Sequence, residues 1–460
     1  MDGLHGAAEP GPFLATDAVS RFAERLRELS PLRFWGRVEE VVGTRVRVAG
    51  LDRLAAPGDL CCVHAGRSEA ALLGEVVAVG PAGAVLATYG EAAGVPLGAR
   101  VRHLGEGGLV FPHESWRGRV LDGFARPIDD RGPIARGSVG YPLRASAPPA
   151  GRRRPLGPRL ATGVRAIDLF TPCCAGQRLG IFAGSGVGKS SLLAMVAKAA
   201  AADVVVIGLV GERGREVDLF LREVLGPEGL SRSVVVVATS DSPAMLRCRA
   251  GRLTLAVAEY FRDRGAQVLC LFDSVTRFAM ALREVHLAAG ELPAARGYPP
   301  SVFTELPKLL ERAGPGTGEG SITAFFSVLV EGDDFNEPVS DTVRGVLDGH
   351  ILLDRGIAER GRFPAVDVLR SLSRSAPGCY SGEERALVER ARRLLATYAE
   401  MAELVEIGAY RPGTNPALDE AIRLRPALEA LLAQDVAEPA TAEDPFARLR
   451  AVLEAESAAG

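Results

Sequence analysis

The spacing of apolar and polar positions divides the chain into patterned stretches and one connecting segment. Ala18, Phe22, Leu26 and Leu29 recur at helical intervals against Arg21, Glu24, Arg25 and Glu28, behind a capping Asp17. This predicts a short amphipathic helix after a Gly-, Pro- and Ala-rich start that is expected to be disordered. The helix is either a docking handle for a partner or packing for its own domain. From 34 to about 125, short alternating runs at 36–41, 45–48, 72–77 and 83–87 are punctuated by glycine turns, which predicts a small β-barrel. A Pro-, Gly- and Arg-rich segment follows and reads as an extended connection, with Arg152, Arg153 and Arg154 as its densest charge. Apolar runs at 179–182, 203–210, 234–239, 268–272 and 322–330 then alternate with helical patterns, predicting a mostly parallel sheet covered by helices. From 383 the pattern is almost entirely helical, with Leu387, Ala391, Leu394 and Leu395 on one face and a break at Pro412 to Pro416. The expected division is therefore 1–30 tail and helix, 31–125 barrel, 126–158 linker, 159–382 α/β domain and 383–460 helical domain.

Composition narrows the function classes. At 460 residues and 47% hydrophobic content, the chain can bury more than one core. A formal net charge of -3 predicts no strong draw to nucleic acid or anionic membrane. Within 31–125, ten arginines stand against ten acids and the aromatics are sparse, whereas a nucleic-acid barrel needs a basic groove with stacking platforms. An assembly role is the expectation for the barrel. The apolar runs are strand-sized rather than bilayer-sized, and residues 1–10 carry no basic-then-apolar leader, so a soluble cytoplasmic protein is expected. Seven cysteines with no Cys-x-x-Cys pair are expected to be reduced thiols.

The densest chemistry lies at Ala183-Gly184-Ser185-Gly186-Val187-Gly188-Lys189-Ser190-Ser191, between an apolar strand and a helical run. Strand, glycine turn and helix form the context of a phosphate-binding loop. Inward backbone N–H groups and the helix N-terminus receive the anion, Lys189 reaches the β- and γ-phosphates, and the Ser190 hydroxyl ligates Mg²⁺. The chain has only three lysines, Lys189, Lys198 and Lys308, so a lysine here points to a need for a compact charge. The run 204–210 ends in Gly211-Glu212-Arg213-Gly214-Arg215-Glu216, and the run 268–272 ends in Asp273. In a parallel sheet both ends emerge on the phosphate-loop edge. A carboxylate there can orient the attacking water or hold the metal shell.

Taken together, the chain resembles the ATPase family that includes the catalytic subunits of rotary ATP synthases and the ATPases of type III protein export. The likeness is closest to the flagellar export branch. It is carried by the phosphate loop, by 211–217, by Gly297-Tyr298-Pro299-Pro300-Ser301-Val302-Phe303 and by Glu331-Gly332-Asp333-Asp334, with further support from 345–351 and Gly408-Ala409-Tyr410. The resemblance implies a RecA-like core that hydrolyses ATP with Mg²⁺. By position it assigns Glu212 to water activation, Arg213 to γ-phosphate sensing, Glu216 and Asp273 to the metal side and Arg277 to the phosphate side. Arg374 matches an arginine finger for a neighbouring subunit and Phe363 an aromatic on adenine. Tyr410 either covers the other face of the base or packs in the core. Residues 297–303 match a central-channel loop whose Tyr298 and Phe303 grip export substrate or a stalk protein, or else form a rigid turn. The implied partners are further copies in a homo-oligomer, by family a hexamer; a regulator at the N-terminal helix; a stalk protein; chaperone–substrate complexes; and a membrane export gate. No nucleic acid is expected. The competing readings are a virulence secretion ATPase, an RNA translocase with the same core and a non-catalytic rotary subunit, the last disfavoured by Glu212.

Overall fold

The computed structural model describes residues 33–64, 71–330, 337–438 and 444–454. The expected helix at 17–29 and the stretch Glu331 to Asp334 lie outside the described residues. Six antiparallel strands close a barrel: β1 Trp35–Val42, β2 Arg45–Ala49, β3 Asp59–His64, β4 Ala71–Gly80, β5 Gly83–Thr88 and β6 Arg100–Glu106, in the order β1-β2-β5-β4-β3-β6. Alternation places Val38, Val46, Val48, Val63, Val76, Leu86 and Val101 in its core, as period-two patterning requires. β3 and β6 were not among the anticipated strands.

The larger sheet contains β7 Arg119–Asp122, β8 Arg178–Ala183, β9 Val204–Val210, β10 Ser233–Ala238, β11 Gln267–Asp273, β12 Ser321–Leu329, β13 Gly349–Leu353 and β14 Leu372–Ser373, in the order β14-β13-β8-β12-β11-β9-β10-β7. All these pairings are parallel except β13 with β14. β7 falls in the stretch assigned to the barrel, yet it pairs with β10. The barrel's hydrogen bonding ends at β6.

All seven positions of β9 are buried, and its successive residues serve opposite faces. Val204, Val206 and Val210 join one apolar cluster, while Val205, Ile207 and Leu209 join the other. A strand covered on both sides reads as an unbroken apolar run. On one face lie α3 Ala244–Arg262, α4 Val275–Ala288 and α5 Pro300–Leu310, named after α1 Arg165–Phe170 and α2 Lys189–Ala199. The other face is covered by α2 and by α6 Gly382–Glu406, α7 Pro416–Leu432 and α8 Pro445–Glu454. The C-terminal helices therefore share a core with the phosphate-loop helix.

Two further findings depart from expectation. Cys174 and Cys379 are joined in a disulfide across 205 residues, a correction to the reduced-thiol reading that no local spacing rule could have supplied. The other five cysteines are free and buried. In the linker, Arg153 donates to Glu311 at 2.8 Å, so this arginine is occupied within the chain.

The deepest ion pair joins Arg312 on the loop after α5 to Glu259 on α3, through two bonds of 2.8 and 2.7 Å, while Arg312 Nη1 donates to Leu143 O at 2.7 Å. Both residues are buried. Removing one partner strands a buried charge, so Arg312→Met should lower unfolding free energy by about 3–5 kcal/mol. The double variant with Glu259→Leu should regain most of that in urea melts. A loss below about 1 kcal/mol in the single variant would mean that Glu259 finds water.

Candidate active site

β8 ends at Ala183, the chain turns through 184–188, and α2 begins at Lys189. Gly188 has φ 95 and serves as the cap of α2, a left-handed conformation that side chains disfavour. No side chain caps this helix, so its first N–H groups have no side-chain acceptor at the cap. Arg355, in the short helix after β13, donates to Ser185 O at 3.3 Å and braces the loop.

Buried Lys189 is the hub. Its Nζ contacts Asp273 Oδ1 and lies 3.4 Å from Glu212 Oε1. Asp273 Oδ1 also accepts from Ser327 Oγ at 2.6 Å, from β12 between β8 and β11. Two strand ends thus converge on one ammonium, and a third strand supports Asp273 through Ser327, as the parallel topology predicts. Burial opposes the Lys189 charge, but Asp273 and Glu212 outweigh it and raise its pKa. Burial, and then the negative charge of Asp273, push Glu212 up to about 7, with Lys189 acting in the opposite sense. A carboxyl titrating near neutrality at a phosphate loop suits a proton acceptor.

Glu212 is aimed by Gly211, whose φ is 80 and where an added Cβ would sit 2.6 Å from Arg277 Cβ. The chain can cross α4 this closely only without a side chain. Glu216 adds to the push toward the protonated form of Glu212 and accepts from exposed Arg213 at 3.3 Å. Arg213 points to solvent rather than toward Lys189. Arg277, near the start of α4, carries a buried Nε without a hydrogen-bond partner among the described residues.

The remaining assigned residues divide. Phe363 is 47% exposed and its ring flanks the phosphate loop, 3.5 Å from where a Cβ on Gly188 would stand. Tyr410 does not join it. Its hydroxyl donates to Asp419 Oδ1 at 2.8 Å and lies 3.1 Å from Asn415 O, in the turn between α6 and α7. Phe363 O instead accepts from Gln434 N, beyond the other end of α7. The helix separates these ends by about 25 Å at 1.5 Å per residue, and within this chain Tyr410 packs in the turn.

Arg374 also lies apart. Ser373 pairs with Gly349, the first residue of β13, whereas Leu353 at its other end pairs with Ala183 beside the phosphate loop. Four residues of strand place Arg374 about 13 Å toward the opposite sheet edge. Its guanidinium forms no hydrogen bond or ion pair among the described residues.

In the channel-loop stretch, Tyr298 is buried, with Phe303 6.0 Å away and Arg283 over its ring. Pro299 and Pro300 open α5 and tuck the ring inward, so within this chain Tyr298 is not offered for gripping. The exposed part is the preceding loop, where Leu292 is 80% exposed.

Ser327 and Arg355 were missed at the sequence level. Ser327 did leave a signal, as a hydroxyl residue inside the apolar run 321–329.

A lysine at the mouth of a glycine turn, faced by strand-end carboxylates, is how nucleoside triphosphates are held and split. The class is a P-loop triphosphatase with a RecA-like core. The chain belongs to the ATP synthase alpha/beta family, whose nucleotide-binding domain matches residues 163–373. The C-terminal domain model of the type III secretion ATPase EscN matches 380–451, and the enzyme is an ATP hydrolase. The chain is 52% identical to the flagellum-specific ATP synthase of Caulobacter vibrioides, over 94% of this chain and 98% of that one. It is 47% identical to the type 3 secretion system ATPase of Xanthomonas euvesicatoria, over 89% and 92%. The assembled EscN of enteropathogenic E. coli superposes with a TM-score of 0.84 at 39% identity, covering 91% of this chain and all of that one. EscN has also been solved with its central stalk, EscO.

Proposed function

We propose that the chain is the ATPase of a flagellar type III export apparatus, acting as a homo-oligomeric ring, by family a hexamer, that releases substrates from chaperones and unfolds them. The observation that carries the ring is the separation within one chain: Lys189, Glu212 and Asp273 stand on the carboxyl edge of the sheet, and Arg374 follows Ser373 at the opposite edge, exposed. Each chain then lends its Arg374 to a neighbour's site. The flagellar branch is favoured over a virulence system by the higher identity to the flagellum-specific relative, 52% against 47%.

In this reading ATP lies with its phosphates in the turn 184–188, between Lys189, Ser190 and Ser191, and its base on Phe363. Glu212 takes a proton from the attacking water, while Arg213 and Arg277 turn toward the γ-phosphate. The donor set fits Mg²⁺. Ser190, Asp273 and Glu216 offer hard oxygens, and among the described residues no group of three or more His, Cys, Asp or Glu forms a metal cage of its own. Such a site would suit a cation that arrives on the triphosphate, where it would neutralise phosphate charge.

The proposed partners are a central stalk at the channel, as EscN has, chaperone–substrate complexes, a regulator at 17–29 and, peripherally, the export gate at the inner membrane from the cytoplasmic side. Among the described residues no helix is long and apolar enough to cross a membrane. ATP turnover per chain should rise with protein concentration and be indifferent to RNA. Turnover that is flat with concentration, or stimulated by RNA, would instead support a translocase.

A further inference from the structure

The loop that presents Phe363 is held from behind by the end of α7. Gln434 N donates to Phe363 O at 2.8 Å. Buried Gln434 is itself fixed at both ends of its side chain, since Oε1 accepts from Arg165 N at 3.0 Å and Nε2 donates to Gly163 O at 2.8 Å. The first N–H groups of a helix lack internal partners, and Val164 at the cap of α1 offers no side-chain acceptor. Gln434 supplies one. In return the Arg165 guanidinium donates to Leu431 O at 2.8 Å and to Ala433 O, closing the carbonyls at the end of α7, and it pairs with Glu438. Beside Phe363, Arg362 Nε meets Glu429 Oε2 of α7 at 2.7 Å and Arg362 Nη2 donates to Val366 O at 3.0 Å. Two of the loop's residues, adjacent in sequence, are therefore tied to the C-terminal helical domain.

We infer that Gln434 and Glu429 are positioning residues for the nucleotide's base. The end of α7 sets how Phe363 stands against the phosphate loop, so the helical domain tunes affinity for the purine without touching the triphosphate. This rests on the reading that the 184–188 turn binds ATP and Phe363 its base.

The test uses the full chain and two probes, ATP and inorganic tripolyphosphate, with binding measured by calorimetry. Gln434→Met fills the same space without the two side-chain hydrogen bonds, and Glu429→Gln weakens the second tie from a less buried position. Each variant should bind ATP about 2- to 10-fold more weakly, the worth of one aromatic contact, and tripolyphosphate as the wild type does. KM should rise with kcat unchanged, the signature of lost uniform binding. Adding Gln434→Met to Phe363→Ala should cost nothing further, because Gln434 acts through that one contact. Equal weakening toward both probes, or unaltered ATP binding in both variants, overturns the inference. Failure of the wild type to bind either probe would sink the ATP reading itself, whereas unaltered ATP affinity in Phe363→Ala would sink only the base contact and this proposal with it.

Discussion

Glu212→Gln should bind ATP and hydrolyse it at least about 100-fold more slowly than the wild type, the usual worth of a positioned proton acceptor. The amide keeps the shape of the side chain and its distance from Lys189, which in the parent is 3.4 Å, so binding at the phosphate loop should survive. What disappears is the capacity to take a proton. The same residue sets the pH dependence. Burial and Asp273 push Glu212 up to about 7, so below that pH the carboxyl is mostly protonated and cannot act as a base. The sign follows: kcat/KM should fall as pH drops through about 7 and level off above it, since that parameter reports the free enzyme. Residual turnover in the Gln variant should be flat across this range. A Gln variant that keeps more than about a tenth of wild-type turnover with its pH profile intact would remove Glu212 from the base role.

Much of this site was legible because its signals are local. A fully buried strand shows as a continuous apolar run, and β9 and β11 end where the run meets Glu212 and Asp273. The phosphate loop was legible for the same reason, since its glycines, lysine and flanks are contiguous. What escaped depends on contacts across the sequence. β7 is a four-residue strand whose pairing with β10 spans more than 100 positions and follows no alternation of its own. Tyr410 was left between two roles, and its bond to Asp419 across the turn is a contact that no local pattern announces. Tyr298 sits in a motif with two prolines, and only packing against Phe303 reveals that its ring faces inward. Cys174 and Cys379 carry no spacing that links them.

Arg374→Ala should lower turnover by roughly 10³-fold or more, the scale of an arginine finger, even though Arg374 makes no contact with the phosphate loop of its own chain. A residue on the far sheet edge, about 13 Å away along the strands, reaches a phosphate loop by way of another copy. The decisive experiment is to mix the two inactive variants. A Glu212→Gln chain still carries Arg374, and an Arg374→Ala chain still carries Glu212, so a site formed where the first lends its finger to the second is complete. With equal amounts assembling at random and sites acting independently, about one site in four is of that kind, and activity should recover toward a quarter of the wild-type value. The recovery should vanish when the mixture is diluted below the concentration at which turnover per chain begins to fall. If the mixture never exceeds the sum of its parts at any ratio or concentration, the finger is not shared, and the large loss in Arg374→Ala would have to come from the sheet edge that Ser373 and Gly349 form.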